Sequence, residues 1–170
     1  MSATLPLERI AVGVVVERRK AKSPWIDFTW HPVGVLAGVP DAAAWTVLSS
    51  AGDVTTFYTG STQIALYRTE TANYLSNLAA AIPMLWVALR PTGVEPPYDI
   101  VAVTADPAEG ESFTQVGDDV VDTVPMPRQL RDIIERFAVE HHVDQPFLKR
   151  KRDRADPEAL AQRAPKDRRP

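Results

Sequence analysis

Four cationic side chains lie close together near the N-terminus of the chain and are followed by two tryptophans. The six residues are Arg18, Arg19, Lys20, Lys22, Trp25 and Trp30. Cations beside exposed aromatic rings bind phosphates, acidic peptides or single-stranded nucleic acid. The alternative interpretation is a charged hairpin loop in which Trp25 covers the edge of the core. The loop interpretation has the stronger support, because no second basic stripe accompanies this cluster.

A second basic cluster follows an apolar pair near the C-terminus. Its residues are Phe147, Leu148, Lys149, Arg150, Lys151 and Arg152. Residues 149–170 hold nine basic and four acidic side chains out of totals of 19 and 22, so the tail carries about +5 and residues 1–148 about −8. The segment is interpreted either as an apolar anchor with a polybasic stretch for an acidic partner, or as a solubilising tail. Both interpretations stay open.

The three histidines are the next candidates for chemistry near neutral pH. His141 lies on the apolar face of a predicted helix, and His142 points about 100° away from it on an ideal helix. His142 and Asp144 supply only two ligands, whereas a zinc site needs three or four. We therefore interpret this pair of histidines as residues that complement the dipole at a helix C-terminus. His31 is predicted to be partly buried at a strand edge.

Motifs of the common catalytic and nucleotide-binding sites are absent from the sequence. It contains no G-x-S-x-G, no G-x-G-x-x-G and no G-x-x-x-x-G-K-[ST]. With no cysteine, disulfides, iron–sulfur clusters and cysteine-ligated zinc are excluded. The N-terminal apolar run precedes the basic cluster, which is the reverse of a secretory signal. The sequence thus favours a cytoplasmic protein without a catalytic site, a metal or a cofactor.

Alternating apolar residues and turn signals predict many short strands. The predicted strands cover residues 9–17, 28–36, 45–49, 54–59, 63–67, 84–90, 99–104 and 119–124. A charged loop is expected over 17–25, a turn at Gly60-Ser61 is expected to end the fourth strand, and Pro32 confines the second strand to an edge or a bulge. Helices are predicted over 71–78, over 107–115 and, most clearly, over 127–141.

Strands in hairpin-like succession, without long helices between them, predict an α+β fold that is mostly antiparallel β. We expect a curled sheet or a partly open barrel of about six to eight short strands, covered by one C-terminal amphipathic helix. Residues 1–148 are predicted to form a single globular domain, and residues 149–170 a basic, disordered tail. This succession does not favour a doubly wound nucleotide-binding fold.

Three stretches of the chain resemble an uncharacterised bacterial family. They are GVVVERRKAKSPWIDFTWHPVGVL (13–36), VPMPRQL (124–130) and HHVDQPFLKRKR (141–152), and the resemblance covers about residues 8–153. Genes of this family tend to lie near those of molybdenum-dependent formate dehydrogenases, and some members are labelled molybdopterin-guanine dinucleotide biosynthesis protein A. That label implies a glycine-rich phosphate loop after the first strand. The segment ERRKAKSP at that place contains no glycine, so we do not adopt the label.

The resemblance implies a non-enzymatic accessory or assembly protein, of the chaperone type, for a molybdenum-dependent oxidoreductase, formate dehydrogenase in particular. Its partner would be a subunit of that enzyme or another accessory factor. One alternative is a molybdopterin- or nucleotide-binding protein that uses the cationic segment from Arg18 to Lys22 together with Trp25. Another is nonspecific nucleic-acid binding through the tail, which the acidic body disfavours.

Overall fold

Strand β1 (Glu8–Lys20) places alternate apolar side chains in the core, as its sequence pattern predicts. Ile10, Val12, Val14 and Val16 are buried, and they belong to one hydrophobic cluster that includes residues of five other strands and two helices. The computed structural model describes residues 4–144. In it, β1 pairs antiparallel with β2 (Phe28–Ala37) and β4 (Val54–Leu66), and β3 (Thr46–Ala51) pairs with β4. The first sheet therefore has the order β2-β1-β4-β3.

The second sheet has three antiparallel strands in the order β6-β5-β7. They are β5 (Met84–Pro91), β6 (Tyr98–Thr104) and β7 (Val120–Pro125). Strand β2 lies beside β7, and β4 lies beside β6, so six strands surround the core as a partly open barrel. Strand β3 extends the first sheet beyond this ring, and all of its residues are exposed. The predicted fold class is confirmed.

Three short helices close the ends of the core. They are α1 (Thr71–Leu78), α2 (Pro107–Phe113) and α3 (Arg128–His141), and α1 packs against α3. The Asp106 side chain caps α2 by accepting the backbone N–H of Ala108 at 2.9 Å, and Pro107 occupies the first turn. All three predicted helices are present. Among residues 4–144, no helix has the length and apolar character needed to cross a membrane.

Two segments that were predicted as loops lie wholly or partly within strands. Strand β4 is continuous from Val54 to Leu66, and the expected turn at Gly60-Ser61 is a β-bulge in which Thr59 has no opposite residue on β1. Gly60 has a φ of +135°, which glycine adopts without steric cost. Strand β1 likewise continues to Lys20, so the first four residues of the expected charged loop are strand. The sequence prediction was wrong here because glycine and charged residues suggest turns unless tertiary pairing is known.

Strand β2 lies at an edge and contains an irregularity, as predicted for a strand that contains proline. It is an edge strand of its sheet, and its register against β1 shifts between Val15 and Val16, opposite Pro32 and Gly34. The preceding residue, His31, was expected to be partly buried, but its side chain is exposed and its Nδ1 lies 3.1 Å from Oδ2 of Asp122 on β7. This contact joins the two sheets at their neighbouring edges.

The predicted domain boundary at 148/149 and the predicted tail lie outside the described residues.

The buried hydroxyl of Tyr74 makes the fold sensitive to alkaline pH. Burial, together with the carboxylates of Asp106, Glu109 and Glu70, raises the pKa of Tyr74 from its ordinary 10.0 to about 12, although a backbone N–H from Tyr67 opposes this rise. A raised pKa in the folded state means that stability is complete below the unfolded pKa and is lost as pH rises through the folded pKa.

We therefore expect the free energy of unfolding to fall between about pH 10 and 12. Urea denaturation followed by circular dichroism at successive pH values measures this. The Tyr74→Phe variant is expected to lose stability at neutral pH, because a hydrogen bond is removed, but to show a smaller alkaline decrease than the unmodified protein. Tyr67→Phe, which keeps the backbone N–H, serves as the control. Equal alkaline decreases in Tyr74→Phe and the unmodified protein would contradict the assignment.

Candidate functional site

Arg18 lies at the end of the core-facing row of side chains on β1. It has the same alternation as Val12, Val14 and Val16, but it is only partly buried. Its guanidinium carbon lies 4.4 Å from the ring centroid of Phe28, 5.3 Å from that of Phe57 and 5.8 Å from that of Trp30. Separations within about 6 Å are those of cation–π contacts. Arg18 is thus a cation held against aromatic rings.

Five aromatic residues surround this cation, and we call them the aromatic cluster. They are Phe28, Trp30, Trp45, Phe57 and Tyr98. Neighbouring centroids are 5.7 to 6.5 Å apart, and the ring planes meet at 31° to 81°. Three of the rings come from β2 and β4, one from the start of β6, and one from the residue before β3. The cluster therefore depends on the complete assembly of both sheets.

Trp45 reaches the cluster through an uncommon backbone conformation. Its φ is +67°, and its N–H donates to the carbonyl of Tyr58. Bulky residues rarely occupy this left-handed region, and residues held there cost of order 1–3 kcal/mol and concentrate at functional sites. The neighbouring strands hold the indole of Trp45 against Trp30 and Phe57. This is an independent sign that the cluster does more than fill space.

Arg18 and four rings of the aromatic cluster, all except Tyr98, line an open groove of about 450 Å³, whose opposite wall is formed by Glu95, Pro96 and Pro97. That wall is held in place by Thr92, whose N–H donates to the Pro97 carbonyl at 3.0 Å and whose hydroxyl donates to the Pro96 carbonyl at 2.6 Å. Tyr98 lines an adjoining depression that shares Trp30 with the groove, and burial raises the pKa of its hydroxyl. The groove thus offers aromatic faces and one guanidinium.

The structure does not bring the four predicted cations together. Arg18 faces the groove, whereas Arg19 points to the other face of β1 and pairs with Glu17 at 2.9 Å. Lys20 ends the strand, and Lys22 is exposed in the following loop. Trp25, at the tip of that loop, is 91 % exposed, so the expectation that it covers the core edge was wrong.

The other sequence candidates have simpler roles or lie elsewhere. Phe147, Leu148, Lys149, Arg150, Lys151 and Arg152 are outside the described residues. The His142 ring lies between Thr71 Oγ1 at 3.0 Å and Asp144 Oδ1 at 3.1 Å, and the His141 ring packs on Phe137. Among residues 4–144, no group of three or more side chains is placed to hold a metal ion.

Comparison with known proteins identifies the family. A family model described as "Protein of unknown function (DUF3305)" matches residues 11–151. The chain belongs to this family. No curated protein and no solved structure matches the chain significantly. The match of DUF3305 includes the whole aromatic cluster, and it extends past the described residues into the basic segment that begins at Lys149.

Sequence reasoning missed four members of the aromatic cluster in this DUF3305 protein, namely Phe28, Trp45, Phe57 and Tyr98. The last three are 53 positions apart at the extremes, and only the pairing of the strands brings them together. One signal was nevertheless present in the sequence. Arg18 continues the even-numbered apolar series of β1, so the alternation predicts a cation on the core-facing side of the strand. A charge in that position needs a partner that compensates for the loss of water.

Proposed function

We propose that this chain is a non-enzymatic accessory protein that binds a subunit or an accessory factor of a molybdenum-dependent oxidoreductase, formate dehydrogenase in particular. The observation that supports partner binding most directly is the surface formed by Arg18, the aromatic cluster and Trp25. Residues that dominate binding energy at protein interfaces are enriched in Trp, Tyr and Arg. The family resemblance, through its gene neighbourhood, supplies the class of partner.

Exposure strengthens the case for an interface on this side of the molecule. Trp25 and its neighbour Ile26 are exposed at the tip of the β1–β2 hairpin, and Phe28 connects this tip to the groove. Exposed apolar side chains that are grouped and rimmed by polar residues are typical of interaction sites. The basic residues Arg19, Lys20 and Lys22 flank the tip. A partner with acidic residues around an apolar depression would fit this surface.

The uneven distribution of charge contributes to how the partner is found. The body carries about −8 and residues 149–170 about +5, which gives one partner two surfaces of opposite sign to recognise. Lys149, Arg150, Lys151 and Arg152 would steer the encounter, while Phe147 and Leu148 would anchor the complex. Because exposed charges are screened beyond about 8–10 Å at physiological ionic strength, association should slow as salt rises.

Deleting the gene in its native host tests this proposal. We expect formate dehydrogenase activity to fall while other molybdenum enzymes keep theirs. A plasmid copy should restore activity, a Trp25→Ala copy should restore little of it, and partner binding should weaken at least about tenfold. Ile82→Ala, which removes an exposed apolar side chain elsewhere, is the matched control and should behave as the unmodified protein.

Two results would contradict the accessory function. Normal formate dehydrogenase activity and normal cofactor content in the deletion strain would refute it. Loss of activity in all molybdenum enzymes would favour the second candidate, a molybdopterin- or nucleotide-binding protein. That candidate is supported by the position of Arg18 over aromatic faces, and it requires a calorimetric binding signal with a guanine nucleotide that the Arg18→Ala variant lacks.

A further inference from the structure

The groove beside Arg18 is longer than a pocket for one side chain. A second depression of about 470 Å³, lined among others by Tyr98, Pro91 and Val94, shares Trp30, Glu95 and Pro97 with the first. The two depressions therefore adjoin at these three residues and together form one longer groove. The floor of the first depression carries side chains of β2, β1 and β4. Since neighbouring strands are about 4.8 Å apart, the floor measures roughly 10–14 Å.

The dimensions of this groove match a short extended peptide. A polyproline II segment rises about 3.1 Å per residue, so four or five residues would cover the floor. Aromatic-lined grooves bind such segments because the ligand is already ordered and loses little conformational entropy. The rings of the aromatic cluster are tilted against one another by 31° or more. Tilted rings form notches for a puckered proline ring or a branched side chain, whereas a flat fused ring is best held between parallel faces.

The charge of the groove determines what else the peptide must carry. Within residues 4–144, the guanidinium of Arg18 makes no hydrogen bond or ion pair with another side chain, while the adjacent Arg19 is paired with Glu17. A guanidinium presents five N–H donors, and a carboxylate accepts two of them at once. The rim carboxylate of Glu95 lies in the same groove but does not reach Arg18. An incoming Asp or Glu would supply the missing acceptor.

We infer that this groove binds an extended, proline-containing peptide segment of the partner protein, and that an Asp or Glu of the segment pairs with Arg18. The inference rests on the proposed function, because it assumes that the ligand belongs to a protein. It adds the chemical class of the recognised segment and separates the roles of two adjacent arginines. Arg18 recognises the ligand carboxylate, and Arg19 does not contact the ligand.

The test uses the full chain labelled with ¹⁵N and the synthetic peptide acetyl-Ala-Pro-Pro-Asp-Pro-Leu-Pro-Ala-amide. We expect the indole N–H signals of Trp30 and Trp45 to shift on titration. The signal of Trp86, which packs against α2 and lines neither depression, should not shift. A peptide with Asn in place of Asp should bind about tenfold more weakly, which corresponds to about 1.4 kcal/mol. A peptide in which Ala replaces every Pro should also bind more weakly.

Variants of the protein assign the contact to one residue. Arg18→Gln should lose the preference for Asp over Asn, and Arg19→Gln, the matched control, should keep it. Glu95→Gln should strengthen binding of the Asp peptide, because a like charge leaves the rim. Phe28→Ala, at an exposed position, should weaken both peptides equally. If Arg18→Gln does not fold, Arg18→Lys keeps the charge but not the bidentate geometry, and should reduce the preference without removing it.

Several outcomes would overturn the inference. These are the absence of any indole shift at millimolar peptide, equal binding of the Asp and Asn peptides, or larger shifts at the same indoles with a guanine nucleotide. A shift of these indoles on removal of residues 153–170 would show that the tail of this chain occupies the groove.

If the native partner binds Arg18→Gln as tightly as the unmodified protein, this inference fails and the accessory function stands. If the peptide binds but the deletion strain has normal formate dehydrogenase, the accessory function fails and the peptide class stands.

Discussion

Replacing Phe137 with alanine is expected to lower the free energy of unfolding by about 3–5 kcal/mol. Phe137 is 1 % exposed, and its ring packs edge to face on Tyr74 at 6.2 Å between centroids. Leu130 and Ile134 are buried on the same face of α3, so the vacated volume is enclosed by side chains that already have other contacts. A cavity that the surroundings cannot fill adds its own cost to the lost burial. Urea denaturation followed by circular dichroism measures the change.

Val139→Ala on the same helix is the control for this substitution. Val139 is 68 % exposed, so its truncation should change stability by no more than about 0.5 kcal/mol. A loss below about 1 kcal/mol for Phe137→Ala would mean that this face of α3 does not contribute to the core. The face would then be available for a partner, and the groove beside Arg18 would have a competitor as the main binding surface.

The Gly110→Ala substitution is expected to destabilise the protein by about 3 kcal/mol, the upper part of the range for overpacking. Gly110 is buried in α2, and a Cβ there would overlap Cγ of Trp86 on β5 and lie 2.6 Å from its Cβ. These atoms are attached close to the backbone, so a rotation of the indole does not relieve the overlap. Helix propensity alone predicts the opposite sign, because alanine is favoured over glycine in a helix interior by about 0.5–1 kcal/mol. The sign of the change therefore decides between the two effects.

Gly34→Ala provides the matched comparison for the same chemical change. A Cβ at Gly34 would meet only the Val15 side chain, at an ordinary 3.8 Å. We expect its stability to stay within about 1 kcal/mol of the unmodified protein. Combining Gly110→Ala with Trp86→Leu should recover part of the loss, since the two sites are in direct contact. A neutral or stabilising Gly110→Ala would contradict the close packing of α2 on β5.

Local patterns predicted most elements of the fold because their causes are local. The helix α3 follows from apolar residues at three- and four-residue spacing, and α2 from Asp106 and Pro107 at its start. Asp106 and Glu109 are spaced as in a capping box, but only one half of that motif forms. Glu109 accepts the hydroxyl of Thr104 instead of reaching back to the N–H of Asp106, which donates to Thr104 Oγ1. A residue that precedes the helix replaced one half of the motif.

The groove was beyond the reach of local patterns because its parts are distant in the chain. The prediction grouped Arg18 with Arg19, Lys20 and Lys22 as neighbours in sequence, whereas strand alternation sends adjacent residues to opposite faces. Extending β1 by three residues would have been enough to separate Arg18 from Arg19. Trp45 could not have been placed, since its positive φ depends on the strands around it. The accessory function remains a prediction.

Each sheet comes from one unbroken stretch of the chain, residues 8–66 for the first and 84–125 for the second, but the core between them is shared. During synthesis the first sheet emerges complete while its inner face still lacks a cover. At about 5–20 residues per second, roughly 4–15 s separate the release of Leu66 from that of His141. Throughout that interval the ribosome carries a sheet whose row of valines faces water. Slow codons or a truncated message between these points would therefore prolong the time during which this apolar face is exposed and prone to aggregation.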